Sequence, residues 1–253
     1  VKKTYLILFL FTSLIGCKNE QSLTAETQFF TEAENDLCKD ETCPSITIEY
    51  PKYKEVDTVA EQLNHSIEDF IISSIYLGEG TPNLKTTLDD AVSTFILASR
   101  DHKTEFDIDL DYEADISIFE IYRNEQLICL EENFYQYTGG AHGMSGTFFL
   151  IADAETGKTI APQDLFADYE SFSKVAENEF KKQQGIAINT PLEDTEYWFE
   201  NGVFYLPYSP GISENGFLFI YQPYDIAPFS EGFVELSISW ELAQPYLSKK
   251  YFE

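Results

Sequence analysis

The sequence predicts an α+β protein, in which helical stretches and strand patterns follow one another along the chain. Three observations carry this. Helical spacing of apolar residues covers 56–75 and 88–96, strict alternation follows over 106–118, and a third helical stretch with further short strands comes after residue 168. Between the halves, Gly139, Gly140, Gly143 and Gly146 interrupt two aromatic strand patterns. Glycine takes positive φ without steric penalty, so such a run marks a tight reversal between strands.

In chain order, residues 1–17 read as a secretory signal. Lys2 and Lys3 lead an apolar stretch over 5–15, closed by Leu14-Ile15-Gly16-Cys17. This is a bacterial lipobox, in which Cys17 is diacylated and becomes the mature N-terminus. The expectation is a protein anchored by lipid outside the cytoplasm, at the outer membrane or cell surface. Residues 18–43 are polar and acidic without a clear period and read as a mostly irregular linker. Outside the cytoplasm disulfides persist, so Cys38 and Cys43 are candidates to close a small loop. Cys129, in a strand pattern, reads as a buried free thiol.

The first module is assigned to 44–145. A strand over 45–50 ends at Pro51; a helix follows, with Val56, Val59, Ala60, Leu63, Ile67, Phe70, Ile71 and Ile75 on one face. A second helix carries Leu88, Val92, Phe95 and Ile96. Next come Phe106, Ile108, Leu110, Tyr112, Ala114, Ile116 and Ile118, alternating with Asp107, Asp109, Asp111, Glu113 and Asp115. Period two puts all five carboxylates on one strand face, either a site for calcium or a basic partner or simply a solvated surface. Asn124-Glu125 turns the chain into an antiparallel return over 127–137.

The second module is assigned to 146–253. A strand over 147–153 leads through Gly157 to a short turn at 162–166 and a helix over 168–184, with Phe172, Val175, Ala176 and Phe180 inward. Asn201-Gly202 predicts a hairpin across 197–205. Strands are expected at 217–221 and 233–239, and a short helix at 240–247. The loop 222–232, with Pro223, Tyr224, Asp225, Pro228 and Phe229, is stiff and aromatic. It is either packed on its own domain or displayed as a binding surface.

Composition excludes several classes of function. A formal charge of -28 repels nucleic acid and anionic membrane, so contact with a membrane is expected through the lipid alone. Cationic partners would be steered toward the protein. His65, His102 and His142 are scattered and no Cys-x-x-Cys is present, so neither a metal nor a cofactor is expected. Ser145 lacks the second glycine of a nucleophile elbow.

Three stretches together resemble one family: Tyr137-Thr138-Gly139-Gly140-Ala141-His142-Gly143; Glu155-Thr156-Gly157-Lys158 leading to Asp164-Leu165-Phe166; and Tyr224-Asp225-Ile226-Ala227-Pro228-Phe229 with Gly232. They look like the extracellular region of RsiV-type anti-sigma factors, also found ahead of the catalytic domain in PdaC-type peptidoglycan deacetylases. The resemblance spans roughly residues 44–250. It implies an α+β fold with a curved antiparallel sheet and helices packed on one face, in two consecutive small modules, and, from the anti-sigma members, binding of lysozyme, a strongly basic protein. The sequence as it stands carries no transmembrane helix, sigma-binding segment or deacetylase domain, so neither sigma-factor signalling nor deacetylation is expected.

Two functions follow. The first is a binding module that holds a cationic protein or a peptidoglycan-related cell-wall fragment. Its contacts would be Tyr137, Gly139, Gly140, His142, Tyr224, Asp225, Pro228 and Phe229, with charge from Glu131, Glu132 and Asp225. The second is an envelope hydrolase with His142 as base beside Glu131 or Glu132, which requires those groups to converge to about 3 Å of the moving proton.

Overall fold

The structure, a computed structural model, describes residues 23–252 apart from 40, 55–57, 84 and 107–109. The signal stretch and Cys17 lie outside the described residues. No helix among them is long and apolar enough to cross a membrane. The α+β architecture is as predicted, with two sheets and two cores.

The first sheet has five strands in sequence order: β1 (Ala25–Thr31), β2 (Ser45–Tyr53), β3 (Glu113–Arg123), β4 (Leu127–Tyr137) and β5 (Met144–Asp153). All neighbours are antiparallel except β2 and β3, which run parallel. A parallel pair needs a long crossover, and helices α1 (Thr58–Ile75) and α2 (Leu88–Phe106), which lie between β2 and β3 in the chain, supply it.

One face of α1 buries Val59, Ala60, Leu63, Ile67, Ile71 and Ile75, the predicted set save Val56, which is not described, and Phe70, which sits at the helix flank. Across it, α2 buries Ala91, Val92, Phe95 and Ile96. These residues meet Ile46, Ile48, Ala114, Ile116, Ile118, Ile128 and Leu130 in the first core. A reciprocal cap starts α2: Thr87 Oγ1 accepts from Asp90 N at 3.1 Å and Asp90 Oδ2 from Thr87 N at 3.0 Å. Asn64 on α1 is buried against the sheet, accepting from Tyr53 N at 2.8 Å and donating to Tyr53 O at 2.9 Å.

The irregular reading of 18–43 is corrected here. Residues 25–31 form the edge strand β1, paired along its length with β2. Backbone pairing holds it while most of its side chains stay in solvent, so no alternation marks it in the sequence. Beyond it, the buried Asn35 donates to Asp89 Oδ1 at 2.9 Å and Ser93 Oγ at 3.0 Å, tying the segment to α2. Cys38 and Cys43 form a disulfide, and Cys129 is buried and free.

The second core lies on the other face of β4 and β5. Leu127, Cys129, Phe149 and Ile151 point into it, opposite Ile128 and Leu130, so β4 is buried on both faces near its start. The rest of this core comes from α3 (Tyr169–Gln183), with Phe172, Ala176 and Phe180 inward. A three-stranded antiparallel sheet completes it: β6 (Gly211–Ser213), β7 (Gly216–Tyr221) and β8 (Val234–Ser239). Thus β5, which spans the 145/146 division, is hydrogen-bonded into the first sheet and packs into the second core. The chain ends in α4 (Trp240–Ala243) and α5 (Lys249–Phe252).

Two further expectations change. The predicted hairpin at 197–205 is a single 3-10 turn, Glu200–Gly202. Asn201 and Gly202 do take positive φ, 53° and 67°, but the flanking strands do not pair. Phe199 and Phe204 turn onto Phe180 instead, and Trp198 N donates to Ile226 O at 2.8 Å. The long alternation from 106 is likewise divided: α2 continues to Phe106 and β3 begins at Glu113. Asp107 and Asp109 lie outside the described residues, Asp111 pairs with Lys103 at 2.5 Å, and Glu113 and Asp115 are exposed on β3. Among the described residues no cluster of acids, histidines or cysteines is placed to hold a metal.

Candidate binding site

The glycine corner connects β4 to β5, and close packing fixes its shape. Gly139 has φ 85°, and a Cβ there would lie 2.6 Å from the His102 ring. At Gly143 a Cβ would meet the Tyr135 ring at 2.4 Å. Position 139 therefore requires glycine, whereas at Gly143 the exposed Tyr135 ring could swing aside; residues 140–142 are presented to solvent. His142 is exposed, and its Nδ1 lies 2.9 Å from Gly143 O, within its own loop.

The same histidine reaches across to the second module. Its ring stacks on Phe229 with centroids 4.0 Å apart and planes 22° from parallel. Phe229 in turn lies 5.5 Å from Tyr224. Tyr224 is 59% exposed with φ 75°, a conformation that costs a residue with a Cβ of order 1 kcal/mol or more and persists only where its surroundings hold it. The holding contacts are clear: Asp225 Oδ2 accepts from Gln222 N at 2.7 Å, and Asp225 O accepts from Tyr205 OH at 3.3 Å. Pro228 is exposed and leads into the 3-10 turn Phe229–Glu231.

Gln222 anchors the loop to the sheet. Its side-chain amide accepts from Thr147 N at 3.0 Å and donates to Thr147 O at 2.7 Å, the pairing a further strand would make. It thereby covers part of the free edge of β5. The chain of bonds continues from Thr147 Oγ1 to Asn133 Oδ1 at 2.7 Å and from Asn133 Nδ2 to Glu131 Oε1 at 2.9 Å. Glu131 and Asp225, both expected to supply charge, are thus joined through three neutral residues.

Sheet register places the aromatic end of β4 beside the acids of β3. Glu113 pairs with Tyr137 and Asp115 with Tyr135. Cross-strand partners share a face, so these four side chains form an acid-and-tyrosine surface on the part of the sheet that the second core leaves uncovered. Tyr137 and Gly139 contribute through this surface and the His102 packing, whereas Gly140, His142, Tyr224 and Phe229 form the rim above it.

The arrangement His142 would need for catalysis is not assembled. Glu132 pairs with Phe148, four residues from the Gln136–Met144 pair at the corner, which is roughly 13 Å of strand. Glu131 is its neighbour on the opposite face of β4. Glu132 instead lines a cleft of about 810 Å³ that also includes Gln222 and Asp225 but neither His142 nor Tyr224. The side chain is 5% exposed, its Oε1 has no hydrogen-bond partner, and burial pushes its carboxyl up to about 8. Sequence reading missed Gln222, Thr147 and Asn133. Their roles depend on a contact between segments 75 residues apart, for which no local pattern exists.

Comparison with known proteins places two domain types on the chain. Residues 37–145 match the model described as deacetylase PdaC, and residues 163–241 match a protein family of unknown function, DUF3298. None of the curated proteins matches the chain. Among solved structures, a DUF3298 family member from Bacteroides fragilis superposes with a TM-score of 0.69 at 22% identity, covering 90% of this chain and 95% of that one. A DUF3298 family protein from Pseudomonas aeruginosa gives 0.58 at 18% identity, covering 90% and 94%. These likenesses show the fold, and the pair of domain types points to a protein associated with the cell envelope.

Proposed function

We propose that the protein is a lipid-anchored envelope module of RsiV-like type that binds a cationic protein, lysozyme-like in character, or a cell-wall fragment. The observation that carries this reading is the His142–Phe229 stack at 4.0 Å. It joins two loops from separate modules into one exposed aromatic rim, and an aromatic centre with a polar border is the usual composition of an interface hot spot. The acids beside Tyr135 and Tyr137, within a chain of formal charge -28, supply the complementary field for a basic partner.

Calorimetry with lysozyme, and separately with soluble cell-wall fragments, tests the reading. The double variant Tyr224→Ala/Phe229→Ala should weaken the binding of whichever ligand is held by roughly 2 kcal/mol or more, about thirtyfold. Equal affinity of wild type and variant for both ligands would remove the rim from the interface.

A further inference from the structure

The cleft at Glu132 is built differently from the rim. It runs along the free edge of β5, and Phe70 of α1, Phe148 of β5, Tyr169 of α3 and Tyr205 and Tyr208 of the second module supply its rings. The cross-strand neighbours of Glu132 are Ile118 on β3 and Phe148 on β5. Among the described residues lining the cleft there is no lysine, arginine or histidine, and the other titratable groups are Asp225, Tyr169, Tyr205 and Tyr208. On its own strand, Glu132 is flanked by Glu131, with Cys129 beyond. A buried carboxyl oxygen without a partner is costly, and folded proteins rarely keep one without a use.

We propose that this cleft is a second binding site, for a small aliphatic amine. Its ammonium group would pair with Glu132 and its hydrocarbon stem would lie on Phe70 and Phe148. An ammonium supplies the donors that Oε1 lacks, and the aromatic faces attract a cation. Asp225 adds a second negative charge to the lining, and the absence of any base there disfavours an anion. The volume of about 810 Å³ is within the range of small-molecule sites. The cleft shares Gln222 and Asp225 with the rim loop, but its anchor Glu132 lies outside the rim and neither His142 nor Tyr224 lines it.

The test is calorimetry with n-hexylamine and n-hexanol, which match in stem and differ in head, on the wild type and on Glu132→Gln. Titration at pH 7 in buffers of different ionisation enthalpy counts the protons exchanged. Hexylammonium should saturate one site and release up to about 0.9 proton, because a carboxyl near 8 is mostly protonated when the cleft is empty and must ionise to form the pair. Glu132→Gln should abolish the proton release and weaken hexylammonium at least about tenfold, the loss of a charged hydrogen bond, while hexanol changes little. Equal affinity for the two probes overturns the proposal even if the variant fails to fold. Lysozyme binding that depends on Tyr224 and Phe229 would survive that outcome, so the two readings fail separately.

Discussion

Glu132 gives the sharpest test of the packing at the cleft through the pH dependence of stability. The perturbation is Glu132→Gln, which keeps the shape of the side chain and removes its titration. Burial raises the carboxyl from its ordinary 4.5 to about 8 in the folded protein. Below pH 4.5 it is protonated in both folded and unfolded chains, and its contribution does not vary. Between 4.5 and 8 the unfolded chain has released this proton while the folded chain retains it, so stability falls as pH rises. Above 8 both states are ionised and the dependence ends. At ~1.4 kcal/mol per tenfold change in proton affinity, the wild type should lose roughly 5 kcal/mol across this window relative to the variant. Urea unfolding of both proteins at pH 5, 7 and 9 measures the difference. The other carboxylates titrate in both, so the difference isolates residue 132. Parallel stability profiles would show that Glu132 is solvated when folded and that the cleft does not bury it.

Three further outcomes follow from the fold. Asn64→Ala leaves the buried N–H and carbonyl of Tyr53 without partners and should cost about 1–3 kcal/mol by chemical denaturation; a loss below about 0.5 kcal/mol would refute the pairing. Burial pushes the Cys129 thiol up to about 12, so alkylation at pH 8 should spare it in the native protein and modify it after unfolding, as read by peptide mass spectrometry. Gly139→Ala would place a Cβ on a residue at φ 85° and 2.6 Å from the His102 ring, lowering the melting temperature by several degrees for roughly 1 kcal/mol or more of strain; an unchanged melting point would contradict the tight corner.

Elements with a strong period were legible in the sequence. Helices α1 and α2 bury the faces that their spacing predicts, apart from the partly buried Phe70 and Leu88, because apolar residues at helical intervals leave one way to reach a core. The five-strand edge at β1 was not legible, since its stability comes from backbone pairing rather than from side chains. Asn201-Gly202 illustrates the opposite failure. The dipeptide adopts the backbone that its sequence favours, yet the adjacent aromatics gain more from the second core than from pairing with each other.

The candidate site divides along the same line. His142, Tyr224 and Phe229 are expected from the sequence to share one binding surface, and the structure brings them together through a ring stack that neither loop encodes alone. A glutamine after a strand carries no signal of its own, and the importance of Gln222 appears only once Thr147 lies opposite. The sequence offers Glu132 as a partner for His142, but strand geometry separates them and gives the carboxyl a cleft of its own.

The most direct test of the central reading is the affinity for lysozyme as a function of salt. An acidic module with formal charge -28 that grips a basic partner should bind saturably at low ionic strength and lose at least about tenfold in affinity between 50 and 500 mM salt, as its surface charges are screened. Binding that is absent at low salt, or indifferent to salt, would contradict it.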